Sequence, residues 1–167
     1  MAEPLPEPLA GPKGPLARII ALWALLGGLV LLVTVLINAA SILGAALITR
    51  PVPGDFELTE MLTAIAVSCF LPYCQLTGAN VTADIFTSGA SPRWLARFEL
   101  AAAAVATFFA LLLVYRMFFG MLDRQAYQDT TAILQIPIWL AYLPFLASLA
   151  LLAVAALMTL RDAFRRI

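Results

Sequence analysis

Few side chains in this chain are equipped for chemistry, and histidine, the commonest proton carrier and metal ligand, is absent altogether. Its absence excludes bis-histidine haem, histidine-ligated zinc or copper, and any histidine acid–base step. Ten basic and ten acidic residues cancel, and no basic run points to a nucleic-acid partner. Cys69 and Cys74 stand five residues apart, about 140° round a helix, which suits neither a disulfide nor a shared metal site. They read as small buried apolar residues. What remains is a sparse set of polar candidates in apolar surroundings: Asn38, Glu57, Glu60, Asn80, Asp84, Glu99 and Arg116. Their meaning depends on the solvent of the elements that carry them.

That solvent is lipid. Arg18 and Arg50 bracket 31 uncharged residues, Glu60 and Asp84 bracket 23, Glu99 and Arg116 bracket 16, and Asp129 and Arg161 bracket 31. A helix needs roughly 20 mostly apolar residues to cross a hydrocarbon core of about 30 Å. The chain is 63% hydrophobic and 12% charged, against about 25% charged in a soluble domain. The pattern predicts an all-α integral membrane protein with four transmembrane helices, at about 19–49, 56–78, 95–120 and 137–160, within one membrane domain spanning 18–167. The pieces left over are too short for a soluble catalytic domain.

Residues 1–17, rich in proline, are expected to be a disordered tail. The first span is too long for a signal h-region and follows this proline-rich stretch, so it reads as a retained helix. Asn38 is its one strongly polar residue, and an amide in lipid seeks a partner helix. RPVPGD at 50–55 predicts a tight turn with Asp55 as N-cap of span 2. Glu57 and Glu60 lie in the first turns of that span, where the helix dipole favours carboxylates. Pro72 and Pro144 are expected to kink spans 2 and 4. Val81, Ile85 and Trp94 suggest a short interfacial helix at 79–94. Span 3 carries the small stretch AAAAVAT, which lets helices approach closely. Pro137 suits a helix start, and Trp94, Trp139 and Tyr142 are expected as interfacial anchors. Seven basic residues in the tails and the 2–3 connection, against three on the other side, predict cytoplasmic termini.

Glu60 and Arg116 fall at similar depth on antiparallel spans. Either they pair, or Arg116 snorkels and Glu60 meets water. Glu99, beside Arg97, reads as a solvated flank. No series of carboxylates forms a proton path, and no broken-helix repeat marks a complete transport site. A small four-span protein without a site reads as a subunit.

The segment GDFELTEMLTAIAVSCFLPYCQLTGANVTADIF, residues 54–86, resembles the small permease subunit, DctQ type, of tripartite ATP-independent periplasmic (TRAP) transporters. The shared features are a Gly-x-x-Glu-Leu entry to span 2, here Gly54, Glu57 and Leu58, and a closing pattern at Gly78, Val81 and Asp84. A second block at 134–152 matches the family's fourth-span entry through Pro137, Trp139, Tyr142 and Pro144. Asn38 fits one branch of the family. Asn80 stands where the family often has histidine. The resemblance implies a non-catalytic scaffold in the bacterial inner membrane, surrounded by membrane lipid. Its implied partners are a large permease subunit that binds substrate and uses a sodium gradient, and a periplasmic binding protein that delivers an organic acid. No cofactor of its own is expected. The alternatives are a self-contained small multidrug-type exporter acting as a homodimer, and a membrane-anchor subunit of a redox enzyme. The lone Asn38 in span 1 argues against the first, and the missing histidines argue against the second.

Overall fold

The computed structural model describes residues 14–78 and 92–165. They form four helices: α1 Pro15–Ile48, α2 Asp55–Thr77, α3 Pro92–Ala126 and α4 Trp139–Arg165. All four are long and apolar enough to cross a membrane, as the charge-free runs require. Among the described residues the only β pairing is a single bridge between Thr130 and Pro137. Residues 1–13, together with Asn80, Asp84 and the expected interfacial helix as far as Ser91, lie outside the described residues.

Several boundaries differ from expectation for local reasons. Helix α1 begins at Pro15, inside the proline-rich stretch, because proline is pre-set for the first turn and needs no intrahelical donor there. Helix α3 likewise begins at Pro92, so Trp94 belongs to it rather than to a connection, with Arg97 stacked 5.1 Å from its ring centre. Asp55 is not the N-cap of α2. Gly54 takes that position in the left-handed region, at φ 74°, and Asp55 is the first helical residue. Pro137 lies in the α3–α4 connection, one bridge short of the helix. There the chain folds back on itself through Thr131 N–H to Ile136 C=O (3.0 Å) and Ile138 N–H to Asp129 C=O (3.0 Å). At 1.5 Å per residue, α1 and α3 run to about 50 Å, longer than a hydrocarbon core, so they tilt or project.

α1 packs on α2, α2 on α4, and α4 on α3. The α1–α2 and α3–α4 connections share one end of the bundle, so α2 and α4 run parallel at its centre with an antiparallel helix on each flank. Burial is inverted relative to a soluble protein. The buried residues are mostly small: Ala66, Cys69, Ala103, Thr107, Ala110, Ser148, Ala153 and Ala156, with Ile20 and Leu149 as the large exceptions. Large apolar side chains cover the outside, among them Leu22, Leu25, Leu29 and Leu36 on α1 and Phe108, Phe109, Phe118 and Phe119 on α3. In lipid, expelling leucine from the solvent gains nothing, so close backbone approach through small residues holds helices together. Ala110 of α3 meets Ala153 and Ala156 of α4 in this way, and Leu152 packs against the cluster. The AAAAVAT stretch is therefore divided: Ala103 and Thr107 face inward, while Ala101, Ala102 and Ala104 remain exposed.

Candidate functional site

Polar contacts concentrate at three levels of the bundle. The first is the end that carries the two connections. Left-handed backbone at Gly54 lets the chain turn sharply into α2. A Cβ on Gly54 would fall 2.5 Å from Leu134 Cγ, so the position is sterically closed as well. One turn on, the Glu57 carboxylate accepts the backbone N–H groups of Ile133 (2.7 Å) and Leu134 (3.0 Å). Gly54 and Glu57 thus act together, one making room for Leu134 and the other holding its backbone. This clasp joins the entry of α2 to the α3–α4 connection across about 80 residues of sequence. Nearby, Asp55 bonds the Phe56 N–H (2.8 Å) and the hydroxyl of Ser41, and Ser41 also accepts the Val52 N–H (3.2 Å). Replacing Glu57 with glutamine leaves one carbonyl oxygen for two donors. Faster amide exchange and protease cutting at 128–135 is expected in detergent, with α1–α2 contacts unchanged.

The second level lies one helical turn deeper. Asn38 Nδ2 of α1 donates to Thr59 Oγ1 of α2 (2.7 Å) and to its own helix at the Thr34 carbonyl (2.9 Å). Thr59 in turn donates to the Asp55 carbonyl (2.7 Å). The amide is thereby satisfied between helices rather than held out as a ligand.

The third level is the centre, where three helices meet. The indole N–H of Trp23 on α1 donates to Ser148 Oγ on α4 (2.8 Å). Ser68 Oγ on α2 lies 3.2 Å from the same oxygen, and Cys69 Sγ lies 3.6 Å from it. Ser148 also reaches the Pro144 carbonyl (2.9 Å), one turn back on its own helix. Neither Pro72 nor Pro144 ends its helix: α2 and α4 continue through both. Pro72 leaves the Ser68 carbonyl, and Pro144 the Leu140 carbonyl, without the usual helical donor, while the Ser68 and Ser148 hydroxyls donate to the Ile65 and Pro144 carbonyls of their own helices. Among the described residues no carboxylate bonds these hydroxyls, and the chain holds no imidazole. Replacing Ser148 with alanine strands the Trp23 donor in an apolar interior. A loss of about 1 kcal/mol is expected in thermal unfolding in detergent. Thr77→Val, which removes a bond only to its own helix at Tyr73, is expected to change almost nothing.

Glu60 and Arg116 are not paired. Both are exposed, and among the described residues the ion pair is Arg124–Asp129 at 2.7 Å. The fold gives the reason: α4 lies between α2 and α3. Arg116 precedes Met117 on α3, which puts it about 100° round the helix from that residue. Glu99 is exposed on α3. Of the expected anchors, Trp94 is exposed at the terminal end of the bundle, and Trp139 and Tyr142 are half-buried in the first turn of α4 at the connection end. Tyr142 packs on Gly120 of α3, where an added Cβ would lie 3.5 Å from its ring.

An open groove of about 530 Å³ lies at the connection end. Its floor is the start of α4, through Ala141, Tyr142 and Phe145. One wall is α2, through Glu57, Glu60, Met61 and Ala64, and the other is Met117 of α3 with Thr130–Ala132 of the connection. Among the described residues no group of three His, Cys, Asp or Glu side chains is placed to hold a metal ion. The sequence pattern marks Ser68 only through its carbonyl, which Pro72 leaves without a donor, and gave no notice of Trp23, Ser148, Thr59 or Leu134. Each matters through a residue far along the chain, although the serine four residues after Pro144 is a local cue.

The arrangement is a helical frame whose buried polar side chains hold helices and one connection in place. Comparison with curated proteins and with solved structures returns no match. The family model for tripartite ATP-independent periplasmic transporters, DctQ component, matches residues 33–166, from the middle of α1 past the end of α4. The matched stretch contains the Gly54–Glu57 clasp, the Asn38–Thr59 bond and the Ser68–Ser148 pair, and the chain belongs to the DctQ component family of these transporters.

Proposed function

We propose that this multi-pass membrane protein braces the large permease subunit of a TRAP-type secondary transporter. In this reading it takes no chemical step. It lies in the bacterial inner membrane with both termini in the cytoplasm, as the arginine and lysine distribution favours. The connection end, with the Glu57 clasp, then faces the periplasm. A periplasmic binding protein delivers an organic acid there, and the partner subunit moves it using a sodium gradient. The family match over residues 33–166 carries this reading. The bundle itself supports a static role: its buried side-chain polar groups all have partners among the described residues. Its helices meet through alanine, serine and glycine, which leaves little room for sliding.

The test is a mild-detergent pull-down of the tagged protein from its native membrane, with partners identified by mass spectrometry. Near-equal recovery of one large, many-span membrane protein is expected. Recovery of this chain alone, or only as a homo-oligomer, overturns the reading. Uptake of substrate by the purified chain alone in liposomes overturns it as well.

A further inference from the structure

We propose that the groove at the connection end is the seat of a transmembrane helix of the large permease subunit, one that presents a lysine or arginine to Glu60. The proposal rests on the subunit reading above and adds to it the face and the chemistry of contact.

The surfaces of the bundle are chemically unequal. The outer face of α1 is uncharged from Ile19 to Thr49 and studded with exposed leucine, which acyl chains cover without loss. The α2 face beside the groove is different. Phe56, Glu60, Ala64, Val67 and Leu71 recur every three to four residues and form one exposed stripe. The single polar member of that apolar stripe is a carboxylate with no hydrogen bond or ion pair to any described residue. A charge in this setting faces a partner or a polar cavity. Glu60 lines the groove, and the charged residues of the lining, Glu57 and Glu60, are both acidic. Glu57 is already engaged by two backbone donors, so Glu60 is the free acceptor. Arg116 does not supply the cation, since α4 separates its helix from α2 and Met117, not Arg116, lines the groove.

The shape agrees with the charge. α2 and α3 stand on either side of α4 without extensive packing on each other, so the floor of the groove is the apolar surface of Ala141 and Phe145. Small residues in its wall and floor, Ala64 and Ala141, admit a close helix–helix approach. An occupant must therefore be apolar along its length and cationic near one end. Within the bilayer of a two-subunit transporter, a partner span with one basic residue about a turn inside the interface has that chemistry.

The experiment attaches a thiol-directed photocrosslinker to the native complex at Ala64→Cys, and for comparison at Leu29→Cys on the outer face of α1. Both are made in a Cys74→Ser background, Cys69 being buried. Adducts formed in the membrane are mapped by mass spectrometry. Recovery of the large subunit is measured in parallel for Glu60→Gln and Glu60→Lys. The expected result is an adduct from position 64, and not from 29, to one span of the large subunit within about a turn of a lysine or arginine. Glu60→Lys is expected to lower recovery about tenfold, and Glu60→Gln less. Adducts from position 64 to lipid or to a second copy of this chain, while the large subunit still co-purifies, overturn the groove proposal and leave the subunit reading intact. Unchanged recovery with Glu60→Lys does the same. If the unsubstituted protein recovers no large subunit, the subunit reading fails first and the groove proposal with it. The crosslinking arm keeps Glu60 in place, so misfolding of the charge variants does not decide the outcome.

Discussion

Gly27→Leu is expected to part α1 from α2, while Gly28→Leu, one residue along, leaves the bundle intact. A Cβ at Gly27 would fall 2.6 Å from Cys69 Cβ and 3.0 Å from the Ala66 carbonyl oxygen. The obstruction is another helix's backbone and the first atom of a side chain, and neither can swing away. A Cβ at Gly28 meets nothing within 4 Å. Overpacking of a close contact costs about 1–3 kcal/mol, and more when the whole helix must withdraw. Withdrawal of α1 also pulls Asn38 from Thr59 on α2 and Trp23 from Ser148 on α4, because both bonds start from α1. We therefore expect at least 3 kcal/mol of destabilisation for Gly27→Leu. It is read as a lowered unfolding midpoint in detergent, with cysteine crosslinking between α1 and α2 lost. Equal effects at positions 27 and 28 would show that the loss does not come from this contact, since leucine is the better helix former at both.

The second large effect is expected at Gly54. Valine there meets two obstacles. A β-branched residue at φ 74° is strained by about 1–2 kcal/mol, and its Cβ would overlap the Leu134 side chain at 2.5–3.0 Å. Relief of the overlap pushes Leu134 away and draws its N–H off Glu57, so the clasp opens. The sum is about 3 kcal/mol, measured as thermal stability together with protease access to 128–135. Adding Leu134→Ala to Gly54→Val separates the contributions. Removing the leucine relieves the overlap and leaves the backbone strain, so the double variant is expected to recover part of the loss and not all of it. Full recovery would mean that the left-handed turn is unimportant. No recovery would mean that the overlap is.

These two glycines show how differently the sequence speaks at two positions. Gly54 stands in RPVPGD, where prolines and an aspartate already announce a turn. Its place in the Gly-x-x-Glu-Leu entry singles it out from the sequence alone. That the same residue makes room for Leu134 is invisible, because Leu134 lies 80 positions away in an apolar run. Gly27 stands in LLGGLV and reads as one of two equivalent glycines. Only the packing of α1 on α2 makes one of them critical and leaves the other idle. The candidate polar residues divide the same way. Asn38 is legible as an amide that needs another helix, but Thr59 as its partner is not. Glu60 and Arg116 share a depth in the sequence, and depth alone suggests a pair. The insertion of α4 between their helices separates them.

What the sequence determined by itself is the solvent and the element count. Four charge-free runs long enough to cross a bilayer, the missing histidine and the scarcity of charge settle a four-helix membrane protein without histidine chemistry. Hydropathy and length are sums over neighbouring residues and need no fold. The order α1–α2–α4–α3, the inward turn of Ala103 and Thr107, the Trp23–Ser148 bond and the clasp on Leu134 were decided by tertiary structure alone. In lipid the apolar residues carry no preference for inside or outside. The packing is therefore set by where small residues allow two backbones to close and where scattered hydroxyl and amide groups find one another. Those are relations between distant positions, and no local pattern in the chain records them.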